Sequence, residues 1–447
     1  MSEVGDRLDY LVAHHGGKAE AFLRRIAARH QRLGFGNLAA NKQKLHRWKT
    51  GTRPDRPTQF ALADLLDVPR HDVVELGWPT WLHRAVPDAL LAPHRATPTA
   101  LMARRKAGKT VERRRFMITA AASGMALALA PVVPATATST GRRVGDDLAA
   151  LHEQRLVVLR HLDDKVGSGH VYNAAVNEFD MIAEALRTTS YSEATGRRLL
   201  AAAADAQRAA GWTAYDSGHS DRAEGHFADA AEDALASRDP EVLATTLSFW
   251  AIKLYSTGSP QEAASLVEAA KVHGRATGSA RMLAMLHARA CRAHARAGDL
   301  RASDREANAA LDTYSNAIPL AEDLPSLYWV NLGEIYQLLG SSALNLGYPA
   351  RALDHFQQAA TAGLAELQES YDGDSFPRGA AIYEARAAEA HLELDAVEQA
   401  VAVAHLAVEH MGGVNSARGS TALADLRTKL RVHRGVPEVR NFLEFTA

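Results

Sequence analysis

The sequence predicts an all-α protein, a small helical head followed by a long stack of helical hairpins. Three observations lead there. From Asp146 onward apolar residues recur at three- and four-residue spacing with no alternating strand pattern. A pattern of small and aromatic residues around a turn repeats five times in that part. Basic residues are concentrated before it: residues 1–115 hold 22 Lys and Arg against 11 Asp and Glu, and the remainder holds 29 against 41. The formal net charge of −1 hides this division, which suggests that the head meets a polyanion. The 447 residues suffice for two or three domains, and 47% hydrophobic with 23% charged residues is the balance of a globular chain. The single cysteine, Cys291, excludes an internal disulfide and a cysteine zinc site and reads as a small core residue.

The head is placed at 1–85. Leu8, Leu11 and Val12 mark a first helix, and Phe22, Leu23, Ile26, Ala27 and His30 a second, stopped by Gly34 and Gly36. In "NLAANKQKLHRWKTGTRPDRP" Leu45 and Trp48 stand three apart and share an inward face. Lys42, Gln43, Lys44, His46 and Arg47 then occupy the outer faces. Gly51 ends the helix, and Pro54 and Pro57 prevent its resumption. Two short helices follow, with Phe60, Leu62, Leu65, Leu66 and Val73 as core candidates.

The string Asn41 to Gly51, with Leu45, Arg47, Trp48 and Gly51 at their family positions, and the downstream "ALADLLDVP" resemble a helix-turn-helix domain of the Cro/repressor (XRE) kind. The two glycines of "RLGFGNLA" depart from its tight turn. The resemblance implies a recognition helix in the major groove of double-stranded DNA. Asn41 opens that helix. Lys42 and Lys44 suit guanine or phosphate, Gln43 suits adenine, and His46, Arg47, Lys49, Arg53 and Arg56 extend the surface toward phosphates. The alternative is a solvated basic helix of a protein-interaction domain.

The body is placed at 146–447. "GWTAYDSGHSDRAEGHFADA" carries Gly211, Ala214, Gly218, Ala223, Phe227 and Ala230, the order and spacing of a tetratricopeptide (TPR) unit. The pattern recurs around Gly258, Gly298 (where Ser303 replaces an alanine), Gly347 and, most weakly, Asp395. Spacings of 40, 40, 49 and 48 between these turns exceed the usual ~34 residues and predict longer helices or loops. Residues 146–207 are expected to cap the array. Helical spacing puts Arg208, Trp212, Tyr215 and Asp216 on a concave face, followed by Ser248 and Tyr255, Arg292 and Arg296, Gln337 and Asn345, then Glu389. Such a face suits a peptide, a small molecule or a protein partner. Ordinary interhelix packing is the alternative for Trp212 and Tyr215.

Taken together, the two halves resemble actinobacterial helix-turn-helix–TPR regulators, through text at Ala210 to Ala230 and through "LRHLDDKVGSG" at Leu159 to Gly169. That resemblance implies a cytoplasmic transcriptional regulator that senses a ligand, and a homodimer is expected because one short recognition helix gives too little specificity without a second half-site. A TPR scaffold or adaptor is the alternative. Between the halves, in a basic linker at 86–145, Arg113, Arg114, Arg115, Phe116 and Met117 match the start of a twin-arginine signal, and Ala135-Thr136-Ala137 a cleavage site. The apolar stretch 116–133 is short for a bilayer span, so a linker is expected and an anchor with the head inside the cell is the alternative. No P-loop, GxSxG, HExxH or strand-borne GxGxxG is present, and no catalytic, cofactor or metal site is expected.

Overall fold

The computed structural model describes residues 4, 7–8, 11–12, 19–50, 52–66, 68–82, 142–366 (for 363–366 the backbone alone) and 376–446. The twin-arginine-like segment at 113–137 and the boundary at 85 lie outside these residues. The described residues form eighteen α-helices, four short 3-10 turns and no β-strand, with one isolated bridge between Arg143 and Ser190. The chain divides into two compact units, 1–97 and 98–447.

In the first unit, α1 (Ala19–Arg32), α2 (Lys42–Lys49), α3 (Arg56–Leu65) and α4 (Arg70–Leu76) enclose one core. Phe22, Leu23 and Ile26 of α1 meet Leu45 and Trp48 of α2, Leu62 of α3 and Val73 of α4, all buried. Burial of each such side chain contributes about 1.5–3 kcal/mol. Asn41 caps α2 by accepting from the Gln43 amide at 2.9 Å, and Asp55 caps α3 by accepting from Thr58 at 2.9 Å. The connection between α1 and α2 is long, residues 33–41, and Gly34 and Gly36 in it take left-handed backbone, φ 78° and 82°. Buried His30 holds this loop, its Nδ1 lying 2.9 Å from the Gly36 carbonyl oxygen. Asp64 ties α3 to α1 through Arg32 at 2.9 Å and Arg29 at 3.4 Å.

The second unit is a stack of helical hairpins. It starts with α5 (Asp146–Val166) and α6 (Tyr172–Thr188). Five hairpins follow: α7 (Glu193–Asp216) with α8 (Ser220–Ser237), α9 (Pro240–Ser256) with α10 (Pro260–Ala276), α11 (Ala280–Arg296) with α12 (Leu300–Tyr314), α13 (Leu332–Asn345) with α14 (Pro349–Glu366), and α15 (Pro377–Glu393) with α16 (Val397–Met411). The chain then forms α17 (Ala417–Leu430) and α18 (Pro437–Phe445). Each hairpin's helices pack mainly on each other, and its first helix also packs on the first helix of the next. The five expected turn residues, Gly218, Gly258, Gly298, Gly347 and Asp395, all adopt positive φ, and Asp395 does so at 58° without being glycine. The 40-residue spacing follows from helices longer than three turns, and the 49-residue spacing from a loop at 315–331.

Small residues sit where helices of a hairpin touch. A Cβ on Gly211 would come within 3.1 Å of the Phe227 ring, and one on Gly340 within 2.7 Å of Phe356. Ala251, Cys291 and Ala388 occupy the matching positions and are buried. The serine that interrupts the alanine pattern has a partner: Ser303 Oγ donates to the Cys291 carbonyl at 3.2 Å and lies 3.2 Å from its sulfur.

Candidate functional site

In the first unit the candidate site is the outer face of α2. Leu45 and Trp48 hold the helix from behind, so the remaining side chains turn outward. Asn41, Lys42, Gln43, His46 and Arg47 are exposed, Lys44 and Lys49 half-buried. Lys42 makes an ion pair with Glu20 of α1 at 3.0 Å, with both side chains largely in solvent. Arg53 and Arg56 are exposed just beyond, and Arg56 Nη1 donates to the Val73 carbonyl at 3.2 Å. All nine expected residues therefore lie on or beside one short helix.

In the second unit the hairpins curve until the last ones meet the first. Arg378, at the start of α15, donates to Asp163 of α5 at 2.9 Å, to Asp216 of α7 at 3.2 Å and to Ser168 at 3.1 Å. Ser416 donates to Asp216 at 3.0 Å, and Arg418 of α17 stands 3.5 Å from it. The Asn415 amide donates to the Val166 carbonyl at 3.2 Å. Gly167 has no room for a side chain here, since a Cβ would lie 2.4 Å from the Asn415 carbonyl oxygen, and its φ is 82°. Asp216 is wholly buried. Burial opposes ionisation of Asp163, but the Arg378 charge and bonds from Arg378, Ser168 and Trp212 hold its carboxyl below the usual range.

This closure surrounds a cavity of about 170 Å³. One wall is aromatic: Trp212 meets Phe249 edge-to-face at 5.1 Å, and Phe249 meets Trp329 at 6.0 Å. Trp212 Nε1 donates to Asp163 at 3.0 Å, and its ring packs under Arg418 at 4.8 Å and Arg378 at 5.3 Å. Arg208 lies 4.7 Å over the Phe249 ring and shares Asp205 with Arg160. A second wall comes from the loop before α13. Buried Arg281 fixes that loop by donating to the carbonyls of Val330 at 2.7 Å and Ile318 at 2.9 Å. Tyr328 and Trp329 thereby face the cavity. The Tyr328 hydroxyl donates to Asp164, whose carboxyl burial pushes up to about 6. Glu334 accepts from Tyr383 at 2.8 Å, and burial raises its pKa as well.

Of the eleven expected concave-face residues, Arg208 and Trp212 line the cavity. Tyr215 and Asp216 stand behind them, Tyr215 against Trp212 at 6.1 Å and Arg418 at 5.6 Å. The others are placed elsewhere, because the inner face of a curved stack is partly covered by the next hairpin. Arg292 donates to the Ser341 carbonyl at 2.9 Å and to Asn345, and lies over the Tyr255 ring at 5.7 Å. Burial lowers its pKa to about 10. Arg296 donates to the Tyr255 carbonyl at 3.2 Å. These four residues, Tyr255, Arg292, Arg296 and Asn345, join successive hairpins. Gln337 is half-buried and does not line the cavity, Ser248 Oγ contacts the Met285 sulfur at 3.2 Å, and Glu389 pairs with Arg386 and Lys429, each at 3.1 Å.

Among the described residues no cluster of His, Cys, Asp or Glu could hold a metal ion, and no helix is long and apolar enough to cross a membrane. No protein-family model and no curated protein matches the chain. The crystal structure of BtubC (BKLC) from P. vanneervenii is similar at 15% identity and a TM-score of 0.37, the match covering 58% of this chain and 91% of that one.

Proposed function

We propose that the chain is a DNA-binding transcriptional regulator whose TPR-like body receives a ligand. The observation that carries this reading is α2: its two large apolar residues are buried and its cationic and amide side chains face outward, in a part of the chain with twice as many basic as acidic residues. In this reading the first unit is a helix-turn-helix domain with a lengthened turn. Lys42, Gln43 and Lys44 reach base edges, while Arg47, Lys49, Arg53 and Arg56 meet phosphates. One eight-residue helix reads too few base pairs for a unique site, so the protein acts as a homodimer on two half-sites. It works in the cytoplasm, where the DNA is.

The test is selection of bound duplexes from a random library, followed by footprinting. Wild-type protein should protect one sequence with salt-sensitive affinity. Gln43→Ala should relax discrimination at one base, by about 1–3 kcal/mol. A Lys42/Gln43/Lys44 triple alanine variant that footprints the same operator sinks the reading, as does partner capture by a chain that retains no DNA.

A further inference from the structure

We propose that the cavity of the second unit binds a small carboxylic acid carrying one planar apolar group, its carboxylate held by Arg289. The proposal rests on the reading of the body as a ligand receptor and names the class of ligand. Arg289, on α11, lines the cavity and is 6% exposed. Its neighbours leave it poorly satisfied. Nη1 reaches the Tyr255 hydroxyl at 3.5 Å, Nη2 stands 3.9 Å from Glu334, and buried Nε has no hydrogen-bond partner. Arg378 and Arg208, on the same cavity, make bonds of 2.9–3.2 Å and 2.6–2.9 Å to carboxylates. A guanidinium has five N–H donors in a planar fork that matches a carboxylate edge-on. Arg289 is thus a buried cation on the cavity wall whose Nη groups are held only loosely, at 3.5 and 3.9 Å.

The rest of the ligand follows from the wall and the size. The Arg289 guanidinium lies 5.5 Å over the Trp329 ring, the near end of the Trp329–Phe249–Trp212 series. A flat apolar group attached to the carboxylate would lie along those rings. A cavity of about 150 Å³ accepts a benzene ring. The 170 Å³ here therefore takes one ring and a short acid arm. Charge points the same way. Arg160 and Arg208 share Asp205, Arg378 pairs with Asp163 and Asp216, and Arg418 with Asp216, so an incoming amine would meet these carboxylates already engaged.

The experiment titrates the full chain, without DNA, with phenylacetate, phenethylamine and benzyl alcohol, followed by tryptophan fluorescence and calorimetry. Phenylacetate should bind saturably, and the amine and alcohol at least about tenfold more weakly. Arg289→Lys, which keeps the charge but loses the fork, should weaken phenylacetate about tenfold or more. Glu334→Gln removes the competing carboxylate and should tighten it, a gain that misfolding cannot produce. No saturable binding at millimolar phenylacetate, an amine that binds as well as the acid, or weaker acid binding by Glu334→Gln overturns the proposal. The assay contains no DNA, so acid binding by a chain that binds no operator would remove the regulator reading and leave the cavity assignment standing.

Discussion

The two units use their charged residues in opposite ways. On α2 of the first unit, Lys42, His46 and Arg47 are exposed, and the fold would survive without them. In the second unit, Arg378, Asp163 and Asp216 are buried where the last hairpins meet the first, and the closure depends on them. The difference follows from solvent. An exposed ion pair contributes about 0–1 kcal/mol, whereas removing one partner from a buried pair costs about 3–5 kcal/mol. Charge on the outer face of α2 is therefore not committed to the fold, and most charge around the cavity is.

The sharpest way to break this contrast is Asp216→Ala. It strips Arg418 of its carboxylate and Arg378 of one of three. Denaturant unfolding should show the second unit destabilised by about 3–5 kcal/mol. A loss below about 0.5 kcal/mol, the range of an ordinary surface change, would mean that the closure does not depend on the buried charges.

A smaller effect separates two acids within the second unit. Burial raises Asp164 to about 6, while Glu306, though burial opposes it, is held at about 2 by His287 at 2.7 Å and Lys271 at 3.0 Å. Between its ordinary value of 3.8 and about 6 the folded Asp164 retains a proton that the unfolded chain has lost. Its contribution to stability therefore falls as pH rises through that window. Glu306 has the reverse sign: its contribution is full above its ordinary 4.5 and is lost as pH falls toward 2. Asp164→Asn should gain roughly 1–2 kcal/mol at neutral pH and flatten the profile between 4 and 6. A profile unchanged from wild type would contradict the buried, protonatable state of Asp164.

The smallest change in stability belongs to the first unit. Arg53→Ala should leave unfolding within about 0.5 kcal/mol of wild type. It should weaken all DNA sequences alike and lower the salt slope of binding by about one. A loss confined to one sequence would move Arg53 from phosphate to base contact.

The sequence carried more of the fold than of the cavity. Three-residue spacing placed Leu45 and Trp48 inside, and the turn pattern located the left-handed turn inside each of the five hairpins, because both signals are local. Arg208 and Trp212 were legible for the same reason, being one turn apart on α7. The residues that complete the cavity were not. Arg378 lies in the stretch behind the 48-residue spacing, expected only to hold a longer helix or loop, and meets Asp163 only because a stack of hairpins curves by a small angle at each step. Tyr328 and Trp329 lie in the segment behind the 49-residue spacing, which signalled an insertion but not where it folds. Arg289 had no local signature at all. The "LRHLDDKVGSG" text was the nearest hint, since it holds both Asp163 and Asp164.

The closure has a consequence for the order in which the protein is made. Asp216 leaves the ribosome 202 residues before Arg418 and 162 before Arg378. At about 5–20 residues per second the first hairpins exist for roughly 10–40 s before their counter-charges emerge. During that interval Asp163 and Asp216 remain hydrated at an open end, and the aromatic wall that begins at Trp212 has no opposite side. The early hairpins can fold at once from local contacts, but the cavity cannot exist until the start of α17 has been synthesised, which makes it a late part of the second unit to mature, absent from any chain that stops short of Arg418.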